Sequence, residues 1–215
     1  MMAPSGLLGS DPAEMRAQRL GIGRRVALAG KLRALIHAMA ATSADDATLD
    51  RAAELIEKAR ALLASQSSER GSRLLDGPLM GLGKLSELGP FTTPNHALAP
   101  SLDLNLAETE AEAVAVYGAA HEGGPGLLHG GFIAATFDEL LGVVQRGAIR
   151  MTGELTIRYR APAYLNRPLR YRTWLDRIEG RKAFVSGTLH DGGTLCAEAS
   201  ATFIALREAP FAVPD

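Results

Sequence analysis

The stretch from 121 to 138, HEGGPGLLHGGFIAATFD, holds a glycine-rich loop, a histidine and a carboxylate in close succession. An apolar helical pattern opens at about Gly130, so the loop leads into a helix start. Backbone N–H groups are unpaired there and the dipole favours negative charge. Gly130 and Gly131 carry no Cβ and let a carbonyl group approach that backbone closely. The Gly130 amide is therefore a candidate donor to the oxyanion that forms when a carbonyl carbon is attacked; a tight turn would use the same glycines. Asp138 borders the buried stripe of the same helix. A carboxylate there activates water or attacks directly, pairs with a buried group, or is solvated. Glu139, a further ~100° round the helix, is expected to be the solvated acid.

Spacing limits what these groups do together. Asp138 follows His129 by nine residues, which is about 13 Å of helix at ~1.5 Å per residue. A base and an oxyanion donor must both lie about 3 Å from the reacting centre. If both are catalytic, Asp138 and Gly130 of one chain cannot serve the same site. Each site then needs two chains, with the helices antiparallel across a twofold axis.

The elements that position these residues fall into two parts. Up to about residue 70 the pattern is helical: Leu32, Leu35, Ile36 and Met39, a break at Ala41–Ser43, then Leu49, Ala52, Leu55, Ile56, Ala59, Leu62 and Leu63. Ser43, with Asp45 and Asp46 following, is the expected cap. Residues 71–95 form an irregular, Gly- and Pro-rich connection. From 96 to 208 the rhythm becomes that of strands. SLDLNL and AVAVY flank a polar turn, ETEAE. The helix from about Gly130 to Gln145 follows, with Ile133, Phe137, Leu140, Leu141 and Val144 on one face. Four further strands are GELTIRYRAPA, PLRYRTWLDRI, KAFVSGTLH and TLCAEASATFIAL, split by turns at Glu179-Gly180 and at 191–193. In the first of these, Leu155, Ile157 and Tyr159 share the apolar face. Two strands, one helix and four strands predict an α+β domain, an antiparallel sheet of about six strands covered on one face.

That order is the hotdog arrangement, in which a long sheet wraps one central helix. GPGLLHGGFIAATFDELLG, MTGELTIRYRAPA and DRIEGRKAFVSGTLH, in this order and spacing, resemble the PaaI-type hotdog acyl-CoA thioesterases, in the branch of the mammalian mitochondrial thioesterase superfamily members. The resemblance covers roughly residues 96–206; the N-terminal helices have no counterpart in it. It implies hydrolysis of acyl-CoA, with Asp138 as catalytic acid (general base or nucleophile) and the Gly130 amide as oxyanion donor. It also implies that His129 supports the site and that Thr152 orients the water or the carboxylate. Arg181 and Lys182 would meet the CoA phosphates, as guanidinium and ammonium groups do. A homodimer or a dimer of dimers and a role in fatty acid metabolism follow. The chain departs from members that carry an asparagine upstream of HGG, having Gly123 and Gly124 there. A non-catalytic acyl-CoA binder or sensor is the alternative on the same fold. A hotdog hydratase ranks last, because its close histidine–aspartate pair is not seen.

Composition excludes other classes. The 215 residues carry 23 basic and 24 acidic side chains, so no basic footprint for nucleic acid is present. No apolar run reaches membrane-spanning length. The first residues lack a secretory pattern, and Asp11 and Glu14 among the arginines speak against a mitochondrial leader, so a cytoplasmic protein is expected. The single cysteine, Cys196, reads as a buried structural thiol. His37, His96, His121 and His190 lack metal-ligand spacing, and no metal or cofactor is expected.

Overall fold

A computed structural model describes residues 23–65, 90–94, 96–145, 150–205 and 207. The divisions expected near residues 70 and 95 lie outside the described residues. Helices α1 (Gly23–Ala41) and α2 (Asp46–Ala64) come first. Strands β1 (Ser101–Leu106) and β2 (Glu110–Val116), a 3-10 turn at Ala119–His121 and helix α3 (Gly130–Val143) follow. Strands β3 (Arg150–Tyr159), β4 (Leu169–Glu179), β5 (Lys182–Asp191) and β6 (Thr194–Ala205) complete the domain. All neighbouring strands are antiparallel in the order β1-β2-β4-β5-β6-β3. This is the hotdog fold.

The α3 stripe is buried as its period demands: Ile133, Phe137, Leu140, Leu141 and Val144 all lie in the core. Burying side chains of this size stabilises by about 1.5–3 kcal/mol each. Gly187 on β5 lets the helix approach the sheet, since a Cβ there would stand 2.8 Å from the Arg172 carbonyl oxygen and 3.1 Å from the Phe137 ring. The hydroxyls of Tyr117, Thr136 and Tyr171 satisfy one another at 2.8 and 2.9 Å inside this core. Burial pushes the Tyr117 hydroxyl up to about 12. The Cys196 thiol is buried and donates to the Pro162 carbonyl.

Turn chemistry explains the register. Gly180 (φ +55) and Gly192 (φ +57) adopt left-handed backbone in the two-residue links β4–β5 and β5–β6, where glycine carries no steric penalty. Two local expectations are corrected. The turn taken as ETEAE is shorter, because β2 already begins at Glu110. Its outward acid Glu112 meets Arg172 of β4 at 3.3 Å, which gives the polar residues a place in the ladder. The cap of α2 is Asp45, whose carboxylate accepts from the Thr48 N–H at 2.9 Å, not Ser43.

Helix α1 docks on the domain through polar groups. Arg33 donates to the carbonyls of Pro94 and His96. His37 accepts the Ala120 N–H at Nδ1, 3.0 Å away, and fills the space a Cβ on Gly118 would need. Helix α2 buries no residue among those described.

Candidate active site

The start of α3 is built by the loop before it. The Gly123 N–H donates to the Leu127 carbonyl, and the His129 N–H donates to the His121 carbonyl, both at 2.9 Å. Gly123 lies directly against His129, and a Cβ on it would come within 2.9 Å of the His129 Cα. A side chain at 123 would crowd the His129 backbone, whereas one at 124 would meet only the Leu127 side chain at 3.8 Å. His129 is the N-cap in extended conformation, and its Nδ1 accepts the Gly131 N–H at 2.9 Å. The Gly130 N–H, at the first helical position, has no hydrogen-bond partner among the described residues. Its own carbonyl accepts from the Tyr159 hydroxyl at 2.8 Å.

Two turns further on, the Thr152 hydroxyl donates to Asp138 Oδ1 at 2.8 Å. Thr152 reaches the helix because the β3–β6 pairing slips between Thr152 and Glu154. An extra residue in one strand bends it and re-aims neighbouring side chains. Gly153 is that residue, and a Cβ there would strike Ile204 at 2.7 Å. Strand β3 thus runs antiparallel beside α3, with Thr152 at Asp138 and Tyr159 at Gly130.

The structure brings Asp138 to Thr152, and Gly130 to His129 and Tyr159. It does not bring Asp138 to Gly130: eight residues of continuous helix separate them, about 12 Å. Arg181 and Lys182 lie exposed at the β4–β5 turn. Lys182 pairs with Ile204, which in turn pairs with Met151. The basic pair therefore sits at the Asp138–Thr152 end of the sheet, two strand spacings or about 10 Å across.

Two residues near the site escaped the sequence reading. Tyr159 shares the inward face of β3 with Leu155 and Ile157, as alternation predicts, yet it is 54% exposed and lies over Gly130 instead of in the core. Glu139 is not a solvated acid. It is half-buried and accepts from the Phe91 N–H at 3.0 Å and the Thr92 hydroxyl at 2.6 Å. Burial pushes its pKa above the ordinary carboxylate range, outweighing those bonds, and the Asp138 charge adds in the same direction. Neither contact has a local signal, because the partners are 29 and 48 residues away in the chain.

Residues 125–198 match the family model of the thioesterase superfamily. The acyl-coenzyme A thioesterase THEM4 of Bos taurus is 41% identical over 87 residues, 40% of this chain and 36% of that protein. The Mus musculus THEM4 is 42% identical over 89 residues, 40% of this chain and 38% of that protein. The chain thus spans well under half the length of these relatives. The crystal structure of the thioesterase superfamily protein RHA08564 superposes with a TM-score of 0.71 at 26% identity, covering 84% of this chain and 94% of that one. Motif, fold and likeness agree: residues 125–198 match the thioesterase superfamily model, within a fold similar to that of a thioesterase superfamily protein.

Proposed function

We propose that this protein hydrolyses acyl-CoA thioesters to the free acid and CoA, at sites each built from two copies of the chain. The observation that carries this reading is the division of labour along α3. An acid held by Thr152 and a helix-start amide with no partner among the described residues sit about 12 Å apart on one rigid helix. Placing the Gly130 of one copy opposite the Asp138 of another brings both to one carbonyl. Strand β3 favours such an assembly, since it is a ten-residue sheet edge. Long unpaired edges are templates for pairing with another chain, and this one runs directly beside Asp138.

In such a site the Gly130 amide takes the charge that develops on the thioester oxygen, in a geometry set before the reaction begins. Asp138, oriented by Thr152, removes the proton of an attacking water or attacks to form an anhydride that water then opens. His129 offers its second ring nitrogen to the carbonyl or the departing sulfur. Arg181 and Lys182 would hold the CoA phosphates. The THEM4 relatives are named for the same activity, and fatty acyl-CoA is the substrate class that this reading implies.

Two experiments test it, and a third separates its two chemical routes. Asp138→Asn should lower kcat at least ~100-fold, the scale of a lost general base; unchanged turnover would mean that Asp138 has no catalytic part, whereas a wild type that binds acyl-CoA without turning it over would leave binding alone as the role. Co-expressing Asp138→Asn with Gly130→Pro, which lacks the amide N–H at a position where proline suits a helix, tests the shared site. Random pairing leaves one intact site in each mixed dimer, roughly a quarter of the wild-type number. A mixture as inactive as its parents would show that one chain holds the whole site. After a single turnover in heavy-oxygen water, label in the Asp138 carboxylate would exclude pure general-base catalysis and mark an anhydride opened at the Asp138 carbonyl.

A further inference from the structure

Tyr159 and His129 touch opposite ends of one peptide unit. The Tyr159 hydroxyl donates to the Gly130 carbonyl oxygen at 2.8 Å. The N–H of the same amide, that of Gly131, donates to His129 Nδ1 at 2.9 Å. Carbonyl and N–H of an amide are conjugated, so a bond accepted at the oxygen makes the N–H a stronger donor. Chains of hydrogen bonds strengthen one another by roughly 10–30% per bond. From this geometry we propose that Tyr159 is a positioning residue for the thioesterase site, fixing His129 in the tautomer whose only proton is on Nε2.

An imidazole that accepts at Nδ1 carries its proton on Nε2 when neutral. His129 Nε2 has no hydrogen-bond partner among the described residues, and the His129 side chain is exposed beside the Gly130 amide. Locking the tautomer therefore presents an N–H donor at the start of α3, next to the amide that meets the carbonyl. The ring of Tyr159 also explains why position 130 is glycine: a Cβ there would lie 3.1–3.3 Å from the tyrosine ring and hydroxyl. With a Cβ at 130, the Tyr159 ring would have to give way by a few tenths of an ångström. The edge strand thus contributes at both ends of α3, through Thr152 at the acid and through Tyr159 at the donor.

The proposal rests on the thioesterase reading only for its effect on rate; the tautomer is measured without substrate. The test is Tyr159→Phe in the full chain, which keeps the ring against Gly130 and removes only the hydroxyl. Nitrogen-15 spectra of the imidazole should show wild-type His129 protonated at Nε2 alone in its neutral form, and a mixture of both tautomers in the variant. With a medium-chain acyl-CoA, kcat should fall about 3- to 10-fold, the scale of one hydrogen bond in a network, with KM within about twofold of wild type. A variant whose His129 stays in the Nε2-protonated form, or whose kcat matches wild type while the wild type is active, overturns the proposal. If wild type shows no hydrolysis yet the tautomer shifts, the positioning role stands and the proposed reaction is what fails.

Discussion

Glu139 is the sharpest place to perturb this structure, because its two bonds, beside the Phe91–Phe132 ring contact, tie the 91–92 segment to the helix that carries Asp138. Glu139→Ala removes the acceptor of the Phe91 N–H and of the Thr92 hydroxyl, and Thr92 is only 7% exposed. A hydrogen bond to a charged group contributes about 1.5–3 kcal/mol. The carboxylate is half-buried and water can replace part of what is lost, so the two bonds together are worth about 2 kcal/mol here. Opening of the 91–92 segment becomes correspondingly easier, and the Phe91 amide should exchange with solvent about 30-fold faster. Glu139→Gln keeps one good acceptor, and its cost is nearer ~1 kcal/mol, or about fivefold in exchange. The pH dependence has an unusual sign. Burial raises the Glu139 pKa above its ordinary 4.5, so the folded chain binds this proton more tightly than the unfolded chain. Its titration therefore stabilises the fold as pH falls through the folded value, and that contribution is lost as pH rises again toward neutrality. Glutamine does not titrate, so the gap between wild type and Glu139→Gln should widen from pH 7 toward the acid side. The assay is amide hydrogen exchange at Phe91, corrected for intrinsic rates at each pH. Equal exchange in wild type and Glu139→Ala, or a gap that narrows in acid, would refute the reasoning.

Other perturbations follow from the same contacts. Thr152→Val removes the donor to Asp138 Oδ1 and should lower kcat roughly tenfold through misorientation of the carboxylate, while Thr152→Ser retains most activity. Steady-state kinetics on both variants decides it, and a fully active valine variant would exclude the orienting role. Gly187→Ala places a Cβ 2.8 Å from the Arg172 carbonyl and should destabilise by about 1–3 kcal/mol, as overpacked cores do. A urea melt with an unchanged midpoint would count against the close helix–sheet approach. The pKa values of His37 and His121 are both lowered below the ordinary 6.5, first by burial, with Arg33 adding repulsion at each. Their neutral forms stabilise the docking of α1 above that value, and the stabilisation is lost as pH falls through the lowered folded values. Protection of the Ala120 amide should fall in that window, and in His37→Ala it should be low at every pH.

What the sequence alone determined is what neighbours along the chain decide. The 3.6-residue stripe of α3 and the alternation of the four later strands set the elements and their buried faces. Glycines at 180 and 192 set turns where only left-handed backbone closes a two-residue link. Asp138, Gly130 and Thr152 were singled out as candidates by motif order and the resemblance it carries, and the helix rise alone separates Asp138 from Gly130. The structure adds the side-chain contact that spacing did not supply, Thr152 turned onto Asp138 by a slip of register at Gly153. Only tertiary structure decided that Glu139 holds the 91–92 segment, that Tyr159 leaves the core to lie over Gly130, and that His37 fills the gap beside Gly118. These three contacts join residues 29 or more positions apart. Local periodicity says which face of an element is apolar, but not which distant donor or cavity will meet an individual polar side chain. That meeting is settled by how the sheet curves round the helix and where the remaining chain is laid against it.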